Sequence, residues 1–310
     1  MRFCTPPGSA TTAPAQPSLA GSGKLAADVL TRLHSLDALP DEYQILEVSA
    51  DLRERQQTCL RQTVPDLADR VTWLDEFPSQ SSGVVIANEV IDALPVERFV
   101  RRGDQLQQLC VAVKDSTFVL VEREAPAILV AGVERIEDDL GSRLPEGYVS
   151  EVNLAAPAWL ADIAAALRVG MLFLFDYGTS RREYYAADRR DGWLRCHFRH
   201  HAHSDPLILP GIQDITAWVD YSAVAAAGVE AGLEIAGFVS QAHFLVNGGL
   251  ADELRHFTEL PAAAQVQLSA QVKLLTLPGE MGENFKCLGL SRGLVRGLAS
   301  LETMDRTHTL

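Results

Sequence analysis

The chain has 310 residues and carries 27 Lys and Arg against 41 Asp and Glu, a formal charge of −14. That length serves one large domain or two modest ones, and that charge argues against an electrostatic grip on nucleic acid or on an anionic membrane surface. Hydrophobic residues at 47% and charged residues at 22% match a globular composition, and no apolar run approaches the roughly 20 residues of a bilayer span.

Residues 1–18, rich in Pro, Ala and Thr with one Arg, lack an apolar stretch of signal-peptide length and read as a disordered leader. Order is expected from Leu19, where Ala20-Gly21-Ser22-Gly23 opens a helical pattern from Lys24 to Leu36. A β-prone run, Tyr43 to Val48, precedes a charged helix over Asp51–Leu60 with Asp51 as its N-cap, and Val71–Leu74 is a further short strand. Gly83–Ala87 is a continuous apolar run of the kind found in buried parallel strands, and it stops at Asn88-Glu89. Strands alternating with helices at this spacing predict an α/β fold with a mostly parallel sheet and ligands at the strand C-termini.

From Val96 to Glu124 apolar and polar residues alternate around two turn signals, the pattern of an antiparallel hairpin insertion. Trp159–Leu167 reads as a helix and Met171–Phe175 as a buried strand ending at Asp176-Tyr177-Gly178. Thr179–Pro210 reads as a polar loop too long for a mere connection, hence functional or ordered by a ligand. Tyr221–Leu233 is a further helix, and Ile235–Val239 and Phe285–Leu290 are strands. The domain reading is therefore a leader at 1–18, one domain over 19–295 with insertions at 96–150 and 179–220, and a tail at 296–310.

Three places fit one nucleotide-like ligand: the turn with Gly21 and Gly23, Glu47 ending the next strand, and Asn88-Glu89 ending a later one. Glycines let the backbone approach a ligand, and a carboxylate at a strand end accepts both ribose hydroxyls. Glu89 and Asp92 lie three apart, so a helical turn there faces both toward one cation, such as a guanidinium; the bland alternative is a capping Asp92 and a solvated Glu89. Cys4, Cys59, Cys110, Cys196 and Cys287 are scattered without a C-x-x-C pair, which fits a reducing compartment. The histidine-rich stretch Arg195–His203 matches no zinc-ligand spacing, so no metal is expected.

The strings Val84-Val-Ile-Ala-Asn-Glu-Val-Ile-Asp-Ala-Leu-Pro95, Phe175-Asp-Tyr-Gly178, Pro210-Gly-Ile-Gln-Asp-Ile-Thr216 with Val219-Asp-Tyr221, and Pro278-Gly-Glu-Met-Gly-Glu-Asn-Phe285 together resemble the MidA-type S-adenosylmethionine-dependent methyltransferases, over about Ala20–Arg292. The resemblance implies a class I methyltransferase (Rossmann-like) fold, a seven-stranded sheet with one antiparallel strand, and S-adenosyl-L-methionine as cofactor. The family includes a complex I assembly factor that makes symmetric dimethylarginine, so the implied substrate is a protein arginine, as on a complex I subunit. Carried over, Gly21, Gly23, Glu47 and Asn88 would hold the cofactor. Glu89 and Asp92 would orient the guanidinium, and Arg199, His200 or Asp214 would contact the substrate. A homodimer and a bacterial cytoplasm complete the expectation, with the mitochondrial matrix as the alternative.

The family's glycine loop follows a hydrophobic strand ending in an acidic residue, roughly E-x-G-x-G-x-G, whereas this chain has Pro17-Ser18-Leu19 there. The first strand is therefore expected to be missing or replaced, as in a truncated member. This leaves a second reading open, a non-catalytic scaffold or assembly protein that keeps the fold. A Rossmann-type oxidoreductase is weaker, since Gly21-Ser-Gly23-Lys-Leu-Ala26 has no strand before it.

Overall fold

A computed structural model describes residues 19–199, 201–294 and 297–310, so the expected leader and His200 lie outside the described residues. The described residues divide into two compact units, 19–81 and 82–310.

In the smaller unit a 3-10 turn, Leu19–Ser22, leads into helix α1 (Lys24–Ser35), strand β1 (Tyr43–Leu46), helix α2 (Ala50–Thr63) and strand β2 (Val71–Leu74). β1 and β2 pair in parallel, as a helical crossover requires. Ala27, Leu30 and Leu60 are fully buried and join Ala26, Val64 and Val71 in its core. Asp51 is not the N-cap of α2. Ser49 takes that place, accepting from the Leu52 N–H at 3.4 Å, while Asp51 lies inside the first turn and pairs with Arg55 at 3.0 Å. Both residue types cap well, and the helix begins at Ala50, directly after the serine.

The larger unit begins with β3 (Ser81–Asn88), then β4 (Glu97–Arg102), β5 (Gln105–Lys114), β6 (Thr117–Glu124), α3 (Ala127–Leu140), β7 (Val149–Val152), α4 (Ala156–Ala166) and the long β8 (Leu167–Thr179). α5 (Arg181–Tyr184), β9 (Leu194–Phe198), β10 (His201–His203), β11 (Asp214–Ala217), β12 (Val219–Asp220), α6 (Tyr221–Glu230) and β13 (Glu234–Ser240) follow. The remainder is α7 (Gln241–Asn247), α8 (Leu250–Glu253), α9 (Ala262–Thr276), α10 (Met281–Asn284), β14 (Phe285–Arg292) and α11 (Ala299–Glu302).

β8 is the spine of a five-stranded sheet in which β12 and β3 join one side and β14 then β13 the other. β12 runs parallel to β8, whereas β14 is antiparallel to both β8 and β13. β3 also runs with β8, since Gly83 lies against Gly170 and the Glu89 N–H donates to Phe175 O. β14 is thus the one reversed strand, as the resemblance implies, but this sheet has five strands among the described residues rather than the implied seven, and β1 and β2 form a two-stranded sheet of their own. Leu172, Leu174, Leu288 and Leu290 are fully buried on this sheet, Gly228 of α6 lies against Leu290, and Leu301 of α11 packs on Gly237 and Gly289.

The expected insertion at 96–124 is a meander, β6-β5-β4-β7, antiparallel throughout. The stretch 179–210 is not a loop. It contains α5, β9 and β10, and β9 is the centre of an antiparallel β10-β9-β11 sheet. Its polar composition hides aromatic anchors: Tyr184, Tyr185 and Trp193 are buried in one core with Phe99 and Leu129, and Trp193 stacks on Trp218 with centroids 4.2 Å apart. Burial of such rings supplies enough apolar area to order a polar segment without a ligand.

Candidate active site

The apolar strand β3 ends at Asn88, and Glu89 then adopts φ +51°, a left-handed conformation unusual for a residue with a Cβ and common where a backbone is held for function. Its N–H donates to Phe175 O at 2.8 Å, and Asn88 Nδ2 donates to Glu89 Oε1 at 3.2 Å. The chain turns immediately, and the N–H groups of Ile91 and Asp92 both donate to Asp176 Oδ2 at 3.1 Å. The other Asp176 oxygen accepts from the Tyr177 N–H at 3.0 Å. Asp176, 1% exposed, therefore works as a clamp that fixes the Glu89–Asp92 turn to the end of β8. Two further bonds fasten the same turn: Ala217 N–H to Asp92 O at 3.1 Å and Asn153 Nδ2 to Ile91 O at 3.3 Å.

Asp92 is 5% exposed. Its Oδ2 accepts from the Tyr177 hydroxyl at 2.5 Å, whereas Oδ1 is buried without a hydrogen-bond partner. Burial pushes the Asp92 carboxyl up to about 6, against the pull of the Tyr177 hydrogen bond, and the charges of Glu89 and Asp214 push the same way. Asp176 is pushed well up by burial and then by the charge on Asp92, and Glu89 is raised by burial. Burial and the neighbouring Asp92 likewise push the Tyr177 phenol up, so it stays a donor. Among the described residues no Lys or Arg forms an ion pair with Glu89, Asp92, Asp176 or Asp214. Like charges gathered without a counter-ion favour a cationic ligand.

In the smaller unit Gly23 is the N-cap of α1 with φ +81°, and a Cβ there would lie 2.9 Å from Gln56 Cα. A Cβ on Gly21 would lie 2.9 Å from the Leu52 side chain. Both glycines thus let the turn close onto α2. Glu47, just beyond β1, accepts from the Ser49 N–H at 2.9 Å and from Gln56 Nε2 at 3.2 Å. Gln56 is itself fixed by Trp73 Nε1 at 2.9 Å. One bond per oxygen leaves each Glu47 oxygen a further acceptor position, so this oriented, half-buried carboxylate fits a ribose diol.

Of the expected substrate residues, Asp214 is exposed at the start of β11, and its charge acts on Glu89 and Asp92. Arg199 is exposed in the turn after β9, its guanidinium 5.3 Å from the Phe198 ring centroid. Among the described residues no cluster of His, Cys, Asp and Glu is arranged as a metal site, and no helix is long and apolar enough to cross a membrane.

The chain matches, over residues 18–239, the family model described as "Putative S-adenosyl-L-methionine-dependent methyltransferase". The chain belongs to this methyltransferase family. A solved Burkholderia thailandensis structure bound to S-adenosyl-homocysteine is 40% identical, with a TM-score of 0.87, covering 94% of this chain and 74% of the other. Curated relatives named protein arginine methyltransferase NDUFAF7 homolog, mitochondrial, come from Caenorhabditis elegans, 24% identical over 87% of this chain, and Drosophila melanogaster, 27% identical over 89%. The chain spans only 65% and 66% of the length of those two relatives. Its fold and its reversed strand agree with the α/β class expected from sequence. Asp176 and Tyr177, which hold Asp92, stand in the sequence at the end of an apolar strand and in one of the strings that carry the resemblance, where no site role is expected of them.

Proposed function

We propose that this methyltransferase transfers a methyl group to an arginine nitrogen of a protein, in a step linked to respiratory complex assembly. The observation that carries this reading is the buried turn bearing Glu89 and Asp92, clamped by Asp176 and Tyr177 without a counter-cation among the described residues. The names of the arginine methyltransferase relatives support the acceptor class. Gly21, Gly23, Glu47 and Asn88 are the proposed cofactor-contacting residues, with Glu47 receiving ribose hydroxyls. A complex I subunit is the proposed protein substrate, a homodimer the proposed assembly, and a bacterial cytoplasm or a mitochondrial matrix the proposed compartment.

S-adenosyl-L-methionine, when bound, supplies an electrophilic methyl group on a sulfonium. The protein's task is alignment and charge control. Glu89 and Asp92 hold the guanidinium planar edge by charge-assisted hydrogen bonds, and their charge offsets the positive charge concentrated on it during attack. The acceptor nitrogen gains the methyl group and sheds one proton. Asp92, with its carboxyl pushed up to about 6, is suited to take that proton, and Tyr177 keeps it oriented. Incubating the chain with labelled S-adenosyl-L-methionine and a purified complex I subunit, followed by mass spectrometry, should reveal methylarginine that Asp92→Asn abolishes. Label that appears on lysine, or equally with the variant, would refute this assignment.

A further inference from the structure

The Tyr177 hydroxyl reaches Asp92 Oδ2 from the end of β8 at 2.5 Å, so the aim of that donor depends on what fixes the Tyr177 ring. Two aromatic side chains do so. Phe285 opens β14, pairs with Tyr177 in the β14–β8 register, and meets its ring edge-on with centroids 5.4 Å apart and planes at 67°. Trp218, between β11 and β12, meets the same ring at 6.2 Å and 63°. Both are edge-to-face contacts of the kind that aromatic quadrupoles favour. Each of the two is itself anchored. Trp218 stacks on the buried Trp193, whose Nε1 donates to Tyr184 O at 2.8 Å. Phe285 stands between α10 and Lys286, a lysine only 7% exposed whose Nζ donates to Glu283 O and lies 3.4 Å from Glu283 Oε1. Glu283 also pairs with Arg306 at 2.5 Å. The Tyr221 hydroxyl lies 3.0 Å from Asp176 O and 3.2 Å from Lys286 O, which ties the two strands at the residues next to Tyr177 and Phe285.

We infer that Phe285 and Trp218 are positioning residues of the methyl-transfer site: they hold the Tyr177 ring so that its hydroxyl stays on Asp92 Oδ2. The inference rests on the reading of Asp92 as the proton acceptor and adds the two rings that set its donor. A Tyr177 ring freed on one side spends part of its time with the hydroxyl turned away. The Asp92 carboxyl then loses a donor that favours its charged form. The ionisable groups left around it are Glu89 on its own turn, Asp176 on β8 and Asp214 on β11, all carboxylates whose charge favours the protonated form. Loosening either ring should therefore raise the pH at which Asp92 ionises.

The test needs no methyl transfer. The intact chain is labelled with isotopic aspartate, the Asp92 carboxyl carbon is assigned by its loss in Asp92→Asn, and its NMR shift is followed as pH is varied. Phe285→Leu and Trp218→Leu should each raise the Asp92 midpoint by about half a unit to one unit, the size of one aromatic pair, and Tyr177→Phe should raise it further. Phe285→Tyr, which keeps a ring in place, should restore the parent midpoint. In the Tyr177→Phe background, Phe285→Leu and Trp218→Leu should move the midpoint no further, as expected of residues that act through one another. Thermal unfolding checks that each variant folds. A midpoint unchanged in folded Phe285→Leu and Trp218→Leu would overturn the inference, as would equal shifts whether or not Tyr177 is present. The expected shifts in a protein whose Asp92→Asn variant still methylates at the parent rate would uphold the positioning and remove the reading of Asp92 as proton acceptor. An inactive Asp92→Asn beside a midpoint indifferent to both rings would do the reverse.

Discussion

Asp92→Asn should make the protein more stable above pH 7 while removing its activity. The Asp92 carboxyl sits at about 6 in the fold against an ordinary 3.8, and a gap of about two pKa units corresponds to up to about 3 kcal/mol. The folded state binds the proton more tightly than the unfolded chain does. Stability from this group is therefore fully present below pH 4 and is lost as pH rises through about 6. The Asn side chain keeps an oxygen for the Tyr177 hydroxyl and carries no charge to bury, so it escapes the loss. Urea denaturation of the larger unit, followed by tryptophan fluorescence at pH 4, 6 and 8, should show the two proteins alike at low pH. At pH 8 the variant should lead by 1–3 kcal/mol, the order expected when an uncompensated buried charge is removed, or by roughly 3–10 °C in Tm. Asp176 titrates with Asp92, so both proteins retain some slope, and only their difference reports Asp92. Parallel curves, or a variant weaker at pH 8, would refute the claim that Asp92 is buried at an electrostatic cost.

Three further outcomes follow from other contacts. The pH profile of kcat/KM should rise through about 6 as Asp92 in the free enzyme ionises, and Tyr177→Phe should move that rise upward, because the phenol holds the carboxyl down. Glu137→Ala should cost about 3–5 kcal/mol in urea denaturation, since it strands Arg101 of the buried Arg101–Glu137 pair and frees the Leu144 N–H that Glu137 accepts at 3.0 Å. Gly23→Ala should destabilise the smaller unit by about 1–3 kcal/mol, because its φ of +81° and the Gln56 backbone at 2.9 Å leave no place for a methyl group; amide hydrogen exchange over α1 is the measure.

Much of the α/β frame can be read from local signals. The apolar runs at β2, β3 and β8 announce strands, but only β8 is buried as such a run predicts, since Val84 and Ile86 of β3 are exposed; the alternation over 96–124 announces the meander. α3 and α9 escape because their stretches mix apolar and polar residues without a strong start signal: Pro126 and Pro261 precede them, and neither helix has a side-chain cap. The region 179–210 misleads for a different reason. Its order comes from Trp193 stacking on Trp218 and from Glu151, a buried carboxylate that accepts from the Trp193 N–H at 2.9 Å, and both are long-range contacts with no local pattern. At the site, Glu89 and Asp92 stand out as carboxylates at a strand end. The clamp by Asp176 and the bond from the Ala217 N–H to Asp92 O arise only when β8 and β11 are brought beside that turn.

The methyltransferase reading stands or falls first on cofactor binding. Calorimetric titration of S-adenosyl-L-methionine into the chain, with Glu47→Gln beside it, is the direct test; glutamine keeps an oxygen for the Ser49 N–H and lowers the acceptor strength offered to the ribose. The proposed site predicts saturable one-to-one binding that weakens about tenfold in the variant, as expected for loss of a hydrogen bond to a charged group. A folded chain that takes up no S-adenosyl-L-methionine, or binds it equally well without the Glu47 carboxylate, would contradict it.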